Sequence, residues 1–152
     1  MMHEPSTDII YIDETTFHLW MQPARVWIKR GMKVQLPDQR GQSISMIGAL
    51  SIKHGLVLTQ VFLGSNTVDS FLPFIQQLKL IHPFEKRIVV MDNLSVHHSR
   101  IVTREFYNPW FHYQFLPPQS CELNPIERVW NIVKGEWRRN SYRILNIAKK
   151  KE

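Results

Sequence analysis

Three acidic side chains stand in settings that suit divalent-metal chemistry on phosphate esters. Asp13 follows the apolar run Ile9-Ile10-Tyr11-Ile12, and Asp92 follows Ile88-Val89-Val90-Met91. Each unbroken run reads as a buried strand, with its aspartate at the carboxyl end. Glu127 belongs to Leu123-Asn124-Pro125-Ile126-Glu127, a helix start with Asn124 as N-cap and Pro125 at the first helical position. Cutting or transferring a phosphodiester needs an activated oxygen nucleophile and a stabilised leaving oxyanion. Two hard cations about 3.5–4 Å apart supply both. Mg²⁺ takes oxygen ligands and keeps several waters, so a few carboxylates and the substrate phosphate suffice. Asp13 is expected to bridge two ions, with Asp92 and Glu127 each completing one coordination shell. Singly, each acid has a plainer role, as a turn-starting aspartate or a capping-box glutamate. Together they favour a metal site.

Other residues are weaker candidates. Asn93 and Asn124 are placed to support the acids. His97 is expected either to contact a phosphate or to support a metal ligand. A zinc site built from His97, His98 and Cys121 lacks paired ligand spacing. Trp20 and Trp27 could stack on bases, but core packing fits their spacing better. No Ser–His–Asp pattern or glycine-rich phosphate loop competes with the acids.

The elements that must position these groups follow from the pattern. A strand over Asp8–Asp13, a short strand at Val26-Trp27-Ile28 and a loop over Gln35–Gln42 come first. A hairpin pairs Ser43–Leu50 with Leu56–Phe62 around Lys53-His54-Gly55. A helix carrying Val68, Phe71, Leu72, Ile75 and Leu78 follows; starting it near Ser70 leaves Pro73 in the first turn, where a missing N–H is harmless. Then come a strand over Arg87–Asp92, a short helix over Ile101–Phe106 and a strand over Tyr113–Leu116. The last helix has an apolar stripe of Ile126, Val129, Trp130, Val133 and Trp137, with Glu127, Asn131, Lys134 and Arg138 on another face. The order predicts an α/β protein with a mixed sheet, antiparallel first and parallel later. Ligands gather beyond strand carboxyl ends in such sheets, and neighbouring parallel strands would make Asp13 and Asp92 converge.

Composition narrows the partners. The 152 residues suit one domain with a sizeable core, and the single cysteine rules out a disulfide framework. No signal pattern or membrane-length apolar run is present, so an intracellular protein with no membrane partner is expected. Residues 1–127 carry 11 basic and 11 acidic side chains, whereas 128–152 carry 8 basic and 2 acidic. The net charge of +6 therefore lies in the last segment. Arg128, Lys134, Arg138, Arg139 and Arg143 are the expected contacts to a polyanion.

These residues carry a family resemblance. Tyr11-Ile12-Asp13-Glu14-Thr15, Trp27-Ile28-Lys29-Arg30-Gly31, Val90-Met91-Asp92-Asn93 with His97, and Leu116-Pro117-Pro118 through Leu123-Asn124-Pro125-Ile126-Glu127-Arg128-Val129-Trp130 resemble the catalytic domain of mariner-type DDE transposases and their bacterial insertion-sequence relatives. The 34 residues between Asp92 and Glu127 match that family's spacing. The resemblance implies a ribonuclease-H-like fold, a five-stranded mixed sheet flanked by helices. It implies catalytic and metal-binding roles for Asp13, Asp92 and Glu127 with two Mg²⁺ or Mn²⁺ ions. It also implies double-stranded DNA as partner, both element ends and target, and action as a homodimer in a nucleus or nucleoid. The expected division is a catalytic domain over 1–140 and a basic tail over 141–152, with the family's N-terminal helix-turn-helix region absent. Gln119-Ser120-Cys121-Glu122 departs from the family's aromatic, Ser, Pro, Asp pattern. A DNA-binding remnant without cleavage, and a cellular nuclease of the same fold, are the alternatives.

Overall fold

The computed structural model describes residues 7–18, 43–118 and 120–149. The strand and loop expected between Val26 and Gln42, the tryptophans Trp20 and Trp27, and Gln119 lie outside these residues. Five strands form one sheet in the order β3-β2-β1-β4-β5. They are β1 (Asp8–His18), β2 (Ser43–Ser51), β3 (Gly55–Leu63), β4 (Arg87–Met91) and β5 (Phe111–Phe115). β1, β2 and β3 are antiparallel neighbours, whereas β4 runs parallel to β1, and β5 parallel to β4. The change of direction falls at β1, the strand that carries Asp13. Three helices flank the sheet: α1 (Val68–Leu80), the short α2 (Arg100–Arg104) and α3 (Ile126–Lys149).

Side-chain alternation explains the layers. Ile10 and Ile12 of β1 join Ile47, Ala49, Val89 and Met91 on one face, where they pack against Phe71, Phe74, Ile75 and Leu78 of α1 and Val102 of α2. The intervening residues of β1 point the other way. There Phe17 meets Trp137 of α3, with ring centroids 5.5 Å apart, and Asp13 meets Trp130. Ile126 and Trp130 are the fully buried residues of the α3 stripe. α3 continues without a break past residue 140, so most of the segment read as a tail extends the helix.

Two local readings are corrected. Asp13 does not end its strand. β1 continues to His18 because β2 pairs with it over that whole length, whereas pairing with β4 stops at Tyr11↔Val90. Asp13 thus lies just past the end of β4 without leaving β1. Pro73 is not in the first helical turn. A capping box between Thr67 and Ser70 starts α1 at Val68 and puts Pro73 in the second turn. The Asp69 carbonyl therefore lacks its usual i+4 donor, a loss that the four buried apolar residues of α1 outweigh. The hairpin is as expected, with Gly55 at φ 76° supplying the left-handed turn residue.

Candidate active site

Asp13, Asp92 and Glu127 line one open cavity of about 360 Å³. Asn93, Leu94, Leu116, Pro117, Pro118, Ser120 and Asn124 complete its wall. Three separate chain segments meet here, each for a local reason. β1 delivers Asp13 from its middle. β4 ends at Met91 and releases Asp92 into a turn, where the Leu94 amide donates to Asp92 Oδ1 at 3.2 Å. α3 delivers Glu127 in its first turn.

Asn124 fixes that last element against β1. Its Oδ1 accepts from the Ile126 amide at 3.4 Å, as an N-cap does, and its Nδ2 donates to the Ile12 carbonyl at 3.3 Å. One buried carboxamide therefore sets the start of the Glu127 helix against the residue before Asp13. Asn93 ties the ends of β4 and β5 together, with Nδ2 donating to the Leu116 carbonyl at 2.6 Å.

The electrostatics are those of a site short of positive charge. Burial pushes the Asp13 carboxyl up to about 7, and the nearby Glu127 and Glu14 charges add to the rise. The Glu14 backbone and the Trp130 indole, which donates from Nε1 to Asp13 Oδ2 at 3.0 Å, only partly offset it. Asp92 is treated differently. Burial would raise its carboxyl, but the hydrogen bond and charge of His97 and the Leu94 amide hold it below the usual range.

His97 is fully buried and reaches Asp92. Its Nδ1 lies 3.0 Å from Asp92 Oδ1 and 3.0 Å from the Asp92 carbonyl, and its Nε2 lies 2.9 Å from Glu14 Oε1. Burial alone would lower the imidazole, but the bonds to Asp92 and Glu14 push it up to about 10. The ring leans on Phe71 at 4.4 Å. His98 is exposed beside the Phe115 ring.

Glu14, Trp130 and Gly48 also matter here, through contacts that the sequence did not announce. Glu14 accepts from Asn66 Nδ2 at 2.5 Å as well as facing His97, so it links the start of α1 to the Asp92 turn. Gly48 is the register partner of Asp13. A Cβ built there would meet Trp130 Cη2 at 2.6 Å, so only glycine lets the indole lie flat enough to reach Asp13. A glycine inside an otherwise apolar strand was the available signal for close approach.

The basic candidates do not cluster in the cavity. Arg128 borders an adjoining hollow of about 420 Å³ with Glu127 and Asn131. Arg139 pairs with Glu136 one turn before it, Lys134 and Arg138 are half-buried, and the side chain of Arg143 lies outside the described residues.

Residues 8–146 match the family model of the DDE superfamily endonucleases. Over 139 residues the chain is 30% identical to an insertion element IS630 uncharacterized 39 kDa protein of Shigella sonnei, covering 87% of this chain and 39% of that protein. Its fold is similar to the Mos1 mariner protein in a paired-end complex with Mn (TM-score 0.63, 14% identity, 84% of this chain and 41% of that one). It is also similar to the Mos1 transposase catalytic domain in a structure with Raltegravir and Mg (TM-score 0.62, 11% identity, 93% and 69%). At these identities the likeness to Mos1 is one of fold, and it agrees with the ribonuclease-H-like sheet expected from the sequence. The chain spans about two-fifths of the insertion-element protein it matches.

Proposed function

The chain belongs to the DDE superfamily of endonucleases, and on that premise we propose that it is the catalytic domain of a transposase that cuts and joins DNA. One observation carries the reading: Asp13, Asp92 and Glu127 converge from three elements on a single cavity, and the Asp13 carboxyl is held near 7 by burial and by the charge of its neighbours. Such a cluster is stabilised by a cation, and an all-carboxylate oxygen set fits Mg²⁺ or Mn²⁺. Divalent-metal use follows from the family; the count of two ions, held by these three acids, is part of the proposal. Bound there, the cations would lower the pKa of an attacking water or hydroxyl and neutralise the leaving oxyanion.

The chain's own residues do the rest. Asp92 is kept ionised and aimed by His97, so it is ready to ligate without first losing a proton. Asp13 is oriented by the Trp130 indole. Asn124 holds the first turn of α3 so that Glu127 stays over the same cavity. In the first step water attacks phosphorus at the element's end, the P–O3′ bond breaks, and a 3′-hydroxyl is released. That hydroxyl then attacks a phosphorus of target DNA, displacing a second 3′-oxygen, so no covalent protein–DNA intermediate is needed. Double-stranded DNA is the substrate, Arg128, Lys134, Arg138, Arg139 and Arg143 are the proposed backbone contacts, and a homodimer on DNA in a nucleus or nucleoid is the working form.

Nicking of supercoiled plasmid by the purified chain in Mn²⁺ tests the reading, beside Asp92→Ala and a chelator control. Nicking by the wild type alone is expected. Equal nicking by Asp92→Ala would assign it to a contaminant or another site and sink the proposal.

A further inference from the structure

At the other end of the sheet lies a second group of metal-ligating side chains, made of different chemistry. His54 comes from the β2–β3 turn, and His82 and Glu85 from the loop between α1 and β4. One ligand atom from each lies within 4.8 Å of the other two. The imidazoles of His54 and His82 stack at 4.2 Å with an 18° tilt, and His54 Nε2 stands 3.0 Å from Glu85 Oε2. Ligands on a tetrahedral zinc are about 3.3 Å apart, given Zn–N bonds of about 2.0 Å. The ligand atoms stand up to 4.8 Å apart, so the stacked imidazoles must turn to close around one ion.

The two loops are held in place by buried groups that the proposed DNA chemistry does not use. Asp8 and Arg87 are register partners on β1 and β4, each about 2% exposed or less. Asp8 accepts from Ser51 Oγ at 2.7 Å and from the Lys53 amide at 3.3 Å, and Ser51 Oγ in turn accepts from the His54 amide at 2.9 Å. These bonds fix the turn that carries His54. Arg87 donates to the carbonyls of Leu78, Lys79 and Ile81, which fixes the end of α1 just before His82. His82 itself sits at φ 50°, a left-handed conformation that few non-glycine residues adopt, closed by the Glu85 amide on its carbonyl at 3.1 Å. Lys53 holds Glu85 Oε1 at 2.5 Å, which leaves Oε2 turned toward the imidazoles.

We infer that His54, His82 and Glu85 form a site for one transition-metal cation of the Zn²⁺ class, tying the β2–β3 turn to the α1–β4 loop. Two imidazoles and one carboxylate suit Zn²⁺, Ni²⁺ or Co²⁺ and discriminate against Mg²⁺, which takes oxygen donors. Both histidines are exposed, so the cluster is open to solvent. Without a metal the same groups amount to surface ion pairs of little energetic weight.

Zinc binding by the full chain, followed by titration calorimetry in the presence of excess Mg²⁺, tests the site. Asp92→Asn is the parent, because Glu14, Asp92 and His97 form the other such grouping among the described residues. One equivalent of Zn²⁺ should bind this parent. Affinity should fall at least about tenfold in His54→Ala and in His82→Ala, no less than loss of even an outer partner costs, and should be unchanged in His98→Ala. The melting temperature should rise with Zn²⁺ in the parent and not in His54→Ala. No binding by the parent, or equal affinity in all three histidine variants, would overturn the site.

Discussion

The two ends of the β1–β4 strand pair treat charge in opposite ways. At the amino end three charged groups have their partners: Asp8 has Ser51 and a backbone amide, Arg87 has three helix carbonyls, and Glu85 has Lys53 and His54. At the carboxyl end Asp13 and Glu127 face the same cavity, and the donors around Asp13 are too few to hold its carboxyl at an ordinary value. The difference separates a part that holds the fold together from a part built to receive something. Burying unlike charges with most of their polar atoms hydrogen-bonded locks two strands in register, whereas burying a carboxylate beside other carboxylates stores a demand for a cation.

Breaking the carboxyl end should abolish function and spare the fold. Alanine at Asp13, Asp92 or Glu127 is expected to eliminate plasmid nicking while far-UV circular dichroism stays native. Collapse of all three variants would show instead that the acids are structural. Breaking the amino end should do the reverse. Arg87→Met leaves the carbonyls of Leu78, Lys79 and Ile81 without their donor, and should lower stability in urea by about 2–4 kcal/mol while folded molecules still nick. A change below about 0.5 kcal/mol would mean that water replaces the guanidinium without loss.

The comparison sharpens with pH. The Asp13 carboxyl titrates at about 7 in the folded chain against 3.8 for the free group. Between those values the folded chain keeps a proton that the unfolded chain has released, so this group's contribution to stability is full below about pH 4 and is lost as pH rises through 7. In a chelator, wild type should therefore lose on the order of 4 kcal/mol relative to Asp13→Asn across that range. Identical pH profiles of the two proteins would remove the account of a carboxyl raised by burial and by its charged neighbours. Added Mn²⁺ should restore the wild type near neutral pH.

Two smaller effects test the supports. Gly48→Ala should cost about 1–3 kcal/mol by pressing on Trp130 and should reduce nicking as the indole leaves Asp13. Full nicking in a destabilised Gly48→Ala would separate packing from aim. Neutralising Arg138, Arg139 and Arg143 to Gln should flatten the salt dependence of DNA binding, by at most about 0.9 for each phosphate that is no longer neutralised. Arg139 should contribute least, because Glu136 already holds it. An unchanged slope would place the DNA elsewhere.

The sequence by itself determined the elements and the three acids. Apolar runs, the Asn124-Pro125 helix start and the hairpin around Gly55 are local signals, set by backbone preferences and the period of side-chain burial within a few residues. The same local grammar misplaced Asp13 at a strand end, because the length of β1 is set by β2, a partner some thirty residues away in the chain. It also started α1 too late, because the Thr67–Ser70 capping box carries no acidic or amide side chain to mark it. Only the tertiary structure decided that Glu14 and His97 stand behind Asp92, that Trp130 aims Asp13 through the space Gly48 leaves, and that His54 meets His82 and Glu85. Each is a contact between side chains distant in sequence, fixed by strand register and helix docking. No residue's type or spacing records which neighbour those will bring.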